Sequence, residues 1–566
     1  MSSSSQIRRM WAVAISMSLV LGIIVLRLFV FQIVHGEEWK EVVIEDVPVT
    51  DRPERGVIYD RNGAVLAVDE WDYRVAVSPS ILTDPEELAN DLAPILQIPR
   101  GQLLYDMESP KMYVVLAARV PSDAAEAIRK LELGDEVQLD PLPRRFYPQG
   151  SLMCHVLGFV DFEGNGGAGV EGYYQTELAG EAASATVPIS PLREQKMVIA
   201  REGSDLVLTI DRSVQYTVER HLKEALVEHG AVSGSIIVMD PRTGAILAMA
   251  AEPCFSANEF YDTEKKMFYN PLVSSVYEPG SVMKLVTMAA ALDSGTVTPG
   301  TTYNDTGAIE VGGHVSYNWD RGAHGTVDMT TLLARSLNVG AATIATWMGP
   351  TTFYDYFQRF GFGRPTGIDI FGEEAGLMPL PGSGEWQESF IATNAYGQAL
   401  AVTPLQMISS ISALANNGYL MQPYVVQEIH DENGVHRHEP TVLSQAVSPE
   451  TAAIMTTMAI TAVQQEVQEA LVEGYTVAGK TGTAQIAEAF GYNQTDIIGS
   501  FIGWMPADDP EIVVFVKLDR PQSAPWGSMT AAPTFSKLAK DLVTILGIPP
   551  DEVRLNAAAS TSNGGG

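Results

Sequence analysis

A serine and a lysine three residues apart, Ser281 and Lys284, have a spacing that can support catalysis. On a helix such residues share one face, with Cβ atoms about 5–6 Å apart. The lysine amine can then take the proton of the serine hydroxyl, which is otherwise a poor nucleophile near neutral pH. Glu278-Pro-Gly280 predicts a turn just before the serine, so Ser281 would stand at a helix N-terminus, where backbone N–H groups favour developing negative charge. Taken alone, the serine is more typical of an ordinary N-cap.

A second lysine lies in Lys480-Thr-Gly482-Thr483, within a predicted strand at 475–484. The two-residue period of a strand puts Thr481 and Thr483 on the same face, where their hydroxyls can hold a carboxylate. Gly482 would leave room for an extended substrate beside the strand edge. The alternative is a solvated turn, since Gly and Thr are frequent in loops.

The pattern Ser-x-Asn occurs three times, as Ser256-Ala-Asn258, Ser316-Tyr-Asn318 and Ser336-Leu-Asn338. The first precedes Ser281. The second lies in a segment rich in Gly, His and Trp that predicts a surface loop. The third falls between predicted helices at 329–335 and 339–347, and a corner between two helices can point both side chains into one cleft. We therefore choose Ser336 and Asn338.

The elements around these motifs follow from hydrophobic periodicity. From about residue 206 the sequence alternates between helical and extended patterns, which predicts a central sheet covered by helices on both faces. Before that point, a strand at 73–77 and a helix at 121–133 are predicted. The later helices are predicted at 212–229, 284–292 and 530–546, and the strands at 235–239, 245–249, 475–484 and 512–517.

The order of the three motifs, together with Val402-Thr-Pro-Leu-Gln406, resembles that of a class B penicillin-binding protein. Three earlier stretches resemble the N-terminal pedestal of that family. They are Arg55-Gly-Val-Ile-Tyr-Asp-Arg-Asn-Gly63, Arg145-Phe-Tyr-Pro148 and Gly169-Val-Glu-Gly-Tyr-Tyr174. The chain departs from the family pattern at Ala399, where Gly is common, and at Leu337, where a second Ser is common. Neither change removes a reacting group.

The resemblance implies an α/β (α+β) serine penicillin-recognising, β-lactamase-like transpeptidase domain, a mixed α+β pedestal and one transmembrane helix. The expected boundaries are a cytoplasmic tail at 1–9, a transmembrane anchor at 10–34, the pedestal at 35–205, the transpeptidase domain at 206–548 and a disordered tail at 549–566.

The resemblance also implies a reaction and its residues. Ser281 would attack the penultimate carbonyl of a stem peptide ending in D-alanyl-D-alanine, and the acyl-enzyme would pass to an amine on a neighbouring stem. The implied catalytic residues are Ser281, Lys284, Ser336 and Lys480, and the implied substrate-binding residues are Asn338, Thr481, Gly482 and Thr483. Lys284 would act as a neutral base, and lowering a lysine pKa from about 10.4 to about 7–8 costs roughly 4 kcal/mol. No metal or organic cofactor is expected.

An apolar run at 11–33 is long enough to span a bilayer as one helix. Arg8 and Arg9 precede it and four glutamates follow it, so the positive-inside rule puts the N-terminus in the cytoplasm and the catalytic domain outside. A cleaved signal peptide is the alternative, but the run is long for one and no clear A-x-A site ends it. Arg27 is the one charge within the run.

The net charge of −33 argues against binding to nucleic acid and indicates an acidic, soluble surface. A high-salt habitat is an alternative explanation. Cys154 and Cys254 are the only cysteines, fall in different predicted domains and are expected to be buried free thiols, with a disulfide as the alternative.

The resemblance also implies the partners, which are peptidoglycan stem peptides, β-lactam antibiotics, other division or elongation proteins and a polymerase of the shape, elongation, division and sporulation (SEDS) group. Septal division is favoured over side-wall elongation because Glu278 precedes Pro-Gly-Ser281, where elongation relatives more often carry Pro. Two other activities use the same motifs with water as acceptor, those of a β-lactamase and a carboxypeptidase. An inactive scaffold of a wall-synthesis complex is the alternative from another class.

Overall fold

The computed structural model describes residues 3–30, 46–48, 53–181, 184–186, 197–198, 201–488 and 491–563. They form two compact units. One comprises Met1–Glu54 and Ala179–Gly203, and the other comprises Arg55–Leu178 and Ser204–Gly566. The predicted pedestal range, 35–205, therefore contributes to both units, and its boundary with the transpeptidase domain stays a prediction.

The strands are β1 Asp46–Pro48, β2 Ile58–Tyr59, β3 Val65–Val77, β4 Val114–Val120, β5 Val137–Phe146, β6 Ser184–Thr186, β7 Met197–Val198, β8 Asp205–Leu208, β9 Ser233–Met239, β10 Ile246–Glu252, β11 Thr302–Asp305, β12 Ala308–Val311, β13 His314–Tyr317, β14 Gly325–Asp328, β15 Tyr419–Met421, β16 Val426–Asp431, β17 Gly434–Arg437, β18 Val442–Gln445, β19 Ala478–Glu488, β20 Gly491–Met505 and β21 Ile512–Asp519.

The α-helices are α1 Ser3–Phe29, α2 Pro85–Leu96, α3 Arg100–Met107, α4 Ser122–Arg129, α5 Cys154–Leu157, α6 Gly169–Tyr173, α7 Gln175–Ala179, α8 Arg212–His229, α9 Pro271–Ser274, α10 Lys284–Asp293, α11 Met329–Ala334, α12 Asn338–Arg359, α13 Phe390–Ala395, α14 Pro404–Ala415, α15 Pro449–Glu466, α16 Ala531–Ile545 and α17 Asp551–Asn563.

The first unit contains α1 and a small sheet in the order β1-β6-β7. The part of α1 from Arg8 to Phe29 is apolar and long enough to cross a membrane. It falls within the predicted anchor at 10–34 except at its start, and residues 31–34 of that prediction lie outside the described residues.

A five-stranded antiparallel sheet in the order β10-β9-β21-β20-β19 forms the centre of the second unit. Alternation along β9 sends Ile236 and Val238 into one hydrophobic cluster, with α8 and α16, and Ile237 and Met239 into another, which includes α10 and α14. Apolar helices thus cover both faces, which confirms the predicted architecture. Most of the predicted elements are present with ends shifted by a few residues, because terminal turns depend on local caps.

The pedestal sequence in the second unit is tied to the transpeptidase sequence through backbone pairing. The strands β17-β16-β8-β2-β3-β4 form one sheet, with β5 also paired to β3. Within it, β2 pairs in parallel with β8. Three pedestal stretches noted in the sequence meet at a buried ion cluster, in which Glu171 accepts hydrogen bonds from Arg55 Nε and Arg145 Nε, both at 2.7 Å.

The expectation of free thiols is wrong, because Cys154 and Cys254 form a disulfide across a sequence separation of 100 residues. Cys154 opens α5, and Cys254 follows β10. Sequence spacing cannot indicate this bond, since only the fold brings the two segments together.

The expectation of a disordered tail at 549–566 is also wrong for residues 551–563, which form α17. Its first turn is tied to the domain, because Asp551 N donates to Gly474 O at 3.0 Å and Asp551 Oδ2 accepts from Thr476 N at 2.7 Å. Arg554 adds an ion pair with Asp508.

Candidate active site

Ser281 lies in a short 3-10 turn, Gly280–Met283, that leads directly into α10. Gly280 has a φ of +57°, and a side chain there would meet Thr483 O at 2.9 Å. Only glycine satisfies both conditions without strain. Gly280 N also donates to Gly397 O at 3.0 Å, so the turn is held from two sides. This arrangement presents Ser281 to an open cleft.

Lys284 is buried, and its amine meets four oxygen atoms. Nζ lies 3.0 Å from Ser281 Oγ, 3.1 Å from Ser336 Oγ, 2.6 Å from Ser336 O and 2.7 Å from Asn338 Oδ1. The last two are carbonyl oxygens, which only accept hydrogen bonds. A neutral amine that donates its two N–H groups to these carbonyls directs its lone pair at the hydroxyls.

The environment of Lys284 favours this neutral amine. Burial, and then the positive charge of Lys480, hold the pKa of Lys284 well below its ordinary value of 10.5. Lys284 thus has the burial and the contacts that a neutral base needs, and its role as the base stays a prediction.

Ser336 and Asn338 occupy the corner between α11 and α12. Ser336 has a φ of +57°, an uncommon conformation for a residue with a side chain. The Asn338 Nδ2 amide donates to Tyr317 O at 2.9 Å, and this bond turns Asn338 Oδ1 towards Lys284. The corner thus supplies both carbonyl acceptors of the amine.

The strand β19 forms the edge of the central sheet beside the Ser281 turn. Thr483 O approaches Gly280, and the N–H of a strand residue lies on the same edge as its C=O. The Thr483 N–H therefore faces the turn that carries Ser281. The Thr483 hydroxyl accepts from Gly527 N at 3.1 Å, and both Thr481 and Thr483 line the cleft.

Lys480 is also buried, with Nζ 3.3 Å from Thr481 O and 3.4 Å from Thr481 Oγ1. Burial lowers its pKa to about 8, against the opposing attraction of Glu466. Of the two lysines at the cleft, Lys480 is thus the one that keeps a positive charge at neutral pH.

Gly482 has a different position from the one expected. A side chain there would meet Ser500 Oγ at 2.3 Å, Val282 Cγ2 at 2.8 Å and Pro279 O at 3.0 Å. The residue is buried and does not line the cleft. The missing side chain therefore lets β19 pack against β20 and the Ser281 turn, and the expected room for substrate is not at this residue.

The cleft measures about 700 Å³ and brings together Ser281, Ser336, Asn338 and Lys480. Its rim carries three exposed aromatic side chains that the sequence analysis did not single out, Tyr317, Trp319 and Trp526. The two tryptophan rings contact each other with centroids 5.5 Å apart. The sequence signal for these residues was the occurrence of tryptophan in glycine-rich loops. The sequence could not show which residues they contact, because those come from distant segments.

The expectation that Ser316-Tyr-Asn318 lies in a surface loop is wrong. Ser316 belongs to β13, and both Ser316 and Asn318 are buried. Ser316 Oγ bonds to Tyr396 OH at 2.7 Å. Asn258, of the first Ser-x-Asn, binds the backbone of Tyr147 through both ends of its amide. Of the three motifs, only Ser336-Leu-Asn338 contacts Lys284 among the described residues.

Among the residues that the structure describes, no group of three His, Cys, Asp or Glu side chains is arranged to hold a metal ion. The groups available for chemistry at the cleft are a serine hydroxyl, two buried lysine amines and backbone amides. Such a set can activate a hydroxyl, stabilise an oxyanion and hold a carboxylate.

Comparison with known families agrees with this geometry. Residues 234–540 match the penicillin binding protein transpeptidase domain, and residues 50–208 match the penicillin-binding protein dimerisation domain. The chain belongs to the class B penicillin-binding proteins. The confirmed resemblance covers both the pedestal and the transpeptidase sequence.

Relatives of this class B protein span most of its length. Stage V sporulation protein D of Bacillus subtilis is 33% identical over 516 residues, covering 88% of this chain and 79% of the relative. The peptidoglycan D,D-transpeptidase FtsI of Escherichia coli is 29% identical, covering 88% of this chain and 84% of the relative. The crystal structure of penicillin binding protein 3 from Mycobacterium tuberculosis with aztreonam superposes with a TM-score of 0.69 at 28% identity, covering 88% of this chain and 98% of the other.

Proposed function

We propose that this class B penicillin-binding protein is a peptidoglycan D,D-transpeptidase that works through an acyl-enzyme on Ser281 and is inhibited by β-lactams. The observation that carries the proposal is the position of Lys284 Nζ, within hydrogen-bonding distance of Ser281 Oγ and of two carbonyl oxygens. That arrangement gives the amine one direction for its lone pair.

In the acylation step, Lys284 takes the proton of Ser281 while Oγ attacks the penultimate carbonyl of a D-alanyl-D-alanine stem. The backbone N–H groups of Ser281 and Thr483 stabilise the oxyanion, a contribution of roughly 3–4 kcal/mol per donor. The C–N bond then breaks, and the leaving D-alanine amine receives the proton from Lys284 through Ser336 Oγ, which lies 3.1 Å from Nζ.

In the second step, the amine of a neighbouring stem attacks the ester carbonyl and gives a proton to Lys284. The C–O bond to Ser281 then breaks, and Lys284 passes that proton to Ser281 Oγ, which restores the hydroxyl. Lys480 polarises Ser336 and, with the hydroxyls of Thr481 and Thr483, holds the terminal carboxylate of the donor. Asn338 grips the peptide backbone. We leave Gly482 outside this binding set, because its buried position serves strand packing.

The test is product analysis with a D-alanyl-D-alanine peptide, with and without an acceptor amine. We expect a cross-linked product and release of D-alanine when the amine is present. Hydrolysis at the same rate with and without the amine would favour a carboxypeptidase. A lack of any acylation would favour the inactive scaffold.

We propose that α1 anchors the protein once in the cell membrane, with the pedestal and the catalytic domain outside. A septal role is supported by Glu278 before Pro-Gly-Ser281, where elongation relatives more often carry Pro. A fluorescent fusion concentrated at midcell supports this role, and one spread along the side wall supports elongation.

The proposed partner is a SEDS-type glycan polymerase, since a class B protein brings no glycosyltransferase domain of its own. Arg27 lies in the last turn of α1. A lone arginine costs roughly 2.5–3.5 kcal/mol at the centre of a membrane helix, and less near its end, unless it finds a partner or reaches the headgroups. We expect Arg27→Leu to insert normally and to co-purify less with that polymerase. Undiminished co-purification would mean that Arg27 simply extends to the headgroups.

A further inference from the structure

Three consecutive residues, Tyr317, Asn318 and Trp319, bind the corner that carries Ser336 and Asn338. The Tyr317 carbonyl accepts from Asn338 Nδ2 at 2.9 Å. Trp319 Nε1 donates to Arg335 O at 3.2 Å, just before the corner. Asn318 Oδ1 accepts from Val339 N at 3.1 Å, just after it. The corner is thus held at its start, its middle and its end.

The corner needs such external support for two reasons. Ser336 adopts a left-handed conformation that a residue with a side chain holds only when its surroundings impose it. Leu337, the N-cap residue of α12, has no side-chain oxygen to accept from the first N–H groups of the helix. Asn318 supplies this missing acceptor from outside the helix.

Asn318 is in turn held by Asp305, and both are 1% exposed. Asn318 Nδ2 lies 2.9 and 3.1 Å from the two carboxylate oxygens of Asp305 and 3.1 Å from Gly322 O. Asp305 is fixed by Tyr303 OH at 2.7 Å and Gly307 N at 2.9 Å. Because every contact of Nδ2 is an acceptor, Oδ1 must face the Val339 N–H.

We propose that Asp305 and Asn318 are positioning residues that hold the 336–338 corner so that its two carbonyl oxygens direct the Lys284 lone pair at Ser281. This inference rests on the proposed function of Lys284 as the base. Neither residue touches the reacting atoms. They act through Ser336 O and Asn338 Oδ1, at 2.6 and 2.7 Å from the amine.

The test separates the acylation rate constant from the noncovalent binding constant for a fluorescent penicillin. Asn318→Ala should lower the rate constant on the order of 100-fold, the effect expected of a misplacement near 1 Å. The binding constant should weaken much less, because the carboxylate site on β19 is unchanged. Asn258→Ala is the matched control, since its amide also makes two backbone hydrogen bonds but lies away from Lys284. It should keep the wild-type rate constant. An Asn318→Ala rate constant equal to that control would overturn the proposal.

A second variant serves if Asn318→Ala does not fold. Asn318→Asp keeps an oxygen for the Val339 N–H but places a second carboxylate against that of Asp305, and the two repel each other. Its acylation rate constant should therefore also fall below that of Asn258→Ala. A rate constant equal to that control would overturn the proposal. If the proposed function itself fails, wild type shows no acylation, which is a different result from either of these.

Discussion

The contribution of buried ion pairs to the stability of the pedestal is tested most sharply at Glu171, whose carboxylate is fully buried between two arginines. Arg55 and Arg145 approach it with Nε at 2.7 Å on opposite oxygens, and both guanidinium groups are themselves buried. Burial by itself raises the pKa of Glu171, but the two positive charges more than reverse this and hold it below its ordinary value. Asp69 is the only other carboxylate that contacts Arg145 in the described chain.

Replacing this carboxylate by an amide, Glu171→Gln, removes one negative charge and turns an N–H towards a guanidinium. Two charge-assisted hydrogen bonds, each worth about 1.5–3 kcal/mol, are weakened or lost. Removing one partner of a buried ion pair costs about 3–5 kcal/mol, because the remaining charge is left uncompensated. We therefore expect the free energy of unfolding to fall by about 4 kcal/mol.

Urea unfolding followed by fluorescence measures the change. At a slope of about 3 kcal/mol per M, the midpoint should fall by roughly 1 M. Glu70→Gln is the matched control, since Glu70 pairs with Arg144 at 2.8 Å but both side chains are more than a third exposed. Its effect should stay below about 1 kcal/mol. If both variants unfold at the same midpoint, the buried cluster does not stabilise the fold as argued.

Two further predictions concern the buried lysines. Lys284→Arg should give no acylation by penicillin in a gel-based labelling assay, because guanidinium cannot deprotonate at accessible pH, and normal labelling would contradict the base role. Lys480→Met should abolish turnover yet stabilise the fold by up to about 3 kcal/mol at neutral pH. The reason is that the pKa of Lys480 falls from 10.5 to about 8 in the folded state, so its charged form destabilises the fold. Between about pH 8 and 10.5, Lys480 is protonated in the unfolded state but not in the folded state. The stabilisation by Lys480→Met, measured by urea titration, should therefore be full below about pH 8 and shrink as the pH rises towards 10.5. A gain independent of pH would refute the assigned cause.

Much of the fold could be predicted from local patterns. The helix at 212–229 has the same bounds as α8, because Asp211 caps its start and Gly230 ends it in a left-handed conformation. The apolar strands β9 and β21 were predicted within a few residues, since both their faces are buried. The motif residues Ser281, Lys284, Ser336, Asn338 and Lys480 were predicted to meet. In the structure four of them line one cleft, and the buried Lys284 contacts Ser281, Ser336 and Asn338.

Contacts between distant segments could not be predicted in the same way. Asn318 looked like part of a surface loop, and it does follow β13 directly, but the Gly and His around it gave no sign that its side chain is buried. Its burial depends on Asp305 and Val339, which only the folded chain brings to it. The disulfide and the anchoring of α17 have the same origin, since each joins segments with no shared local pattern.

The central claim, that Ser281 is the nucleophile activated by Lys284, is tested most directly by intact-protein mass spectrometry after exposure to a penicillin. We predict one covalent adduct per chain, located by peptide mapping on Ser281. Ser281→Ala should show no adduct while keeping the wild-type circular dichroism spectrum and unfolding midpoint. An adduct on another residue, or an adduct retained by Ser281→Ala, would contradict the account.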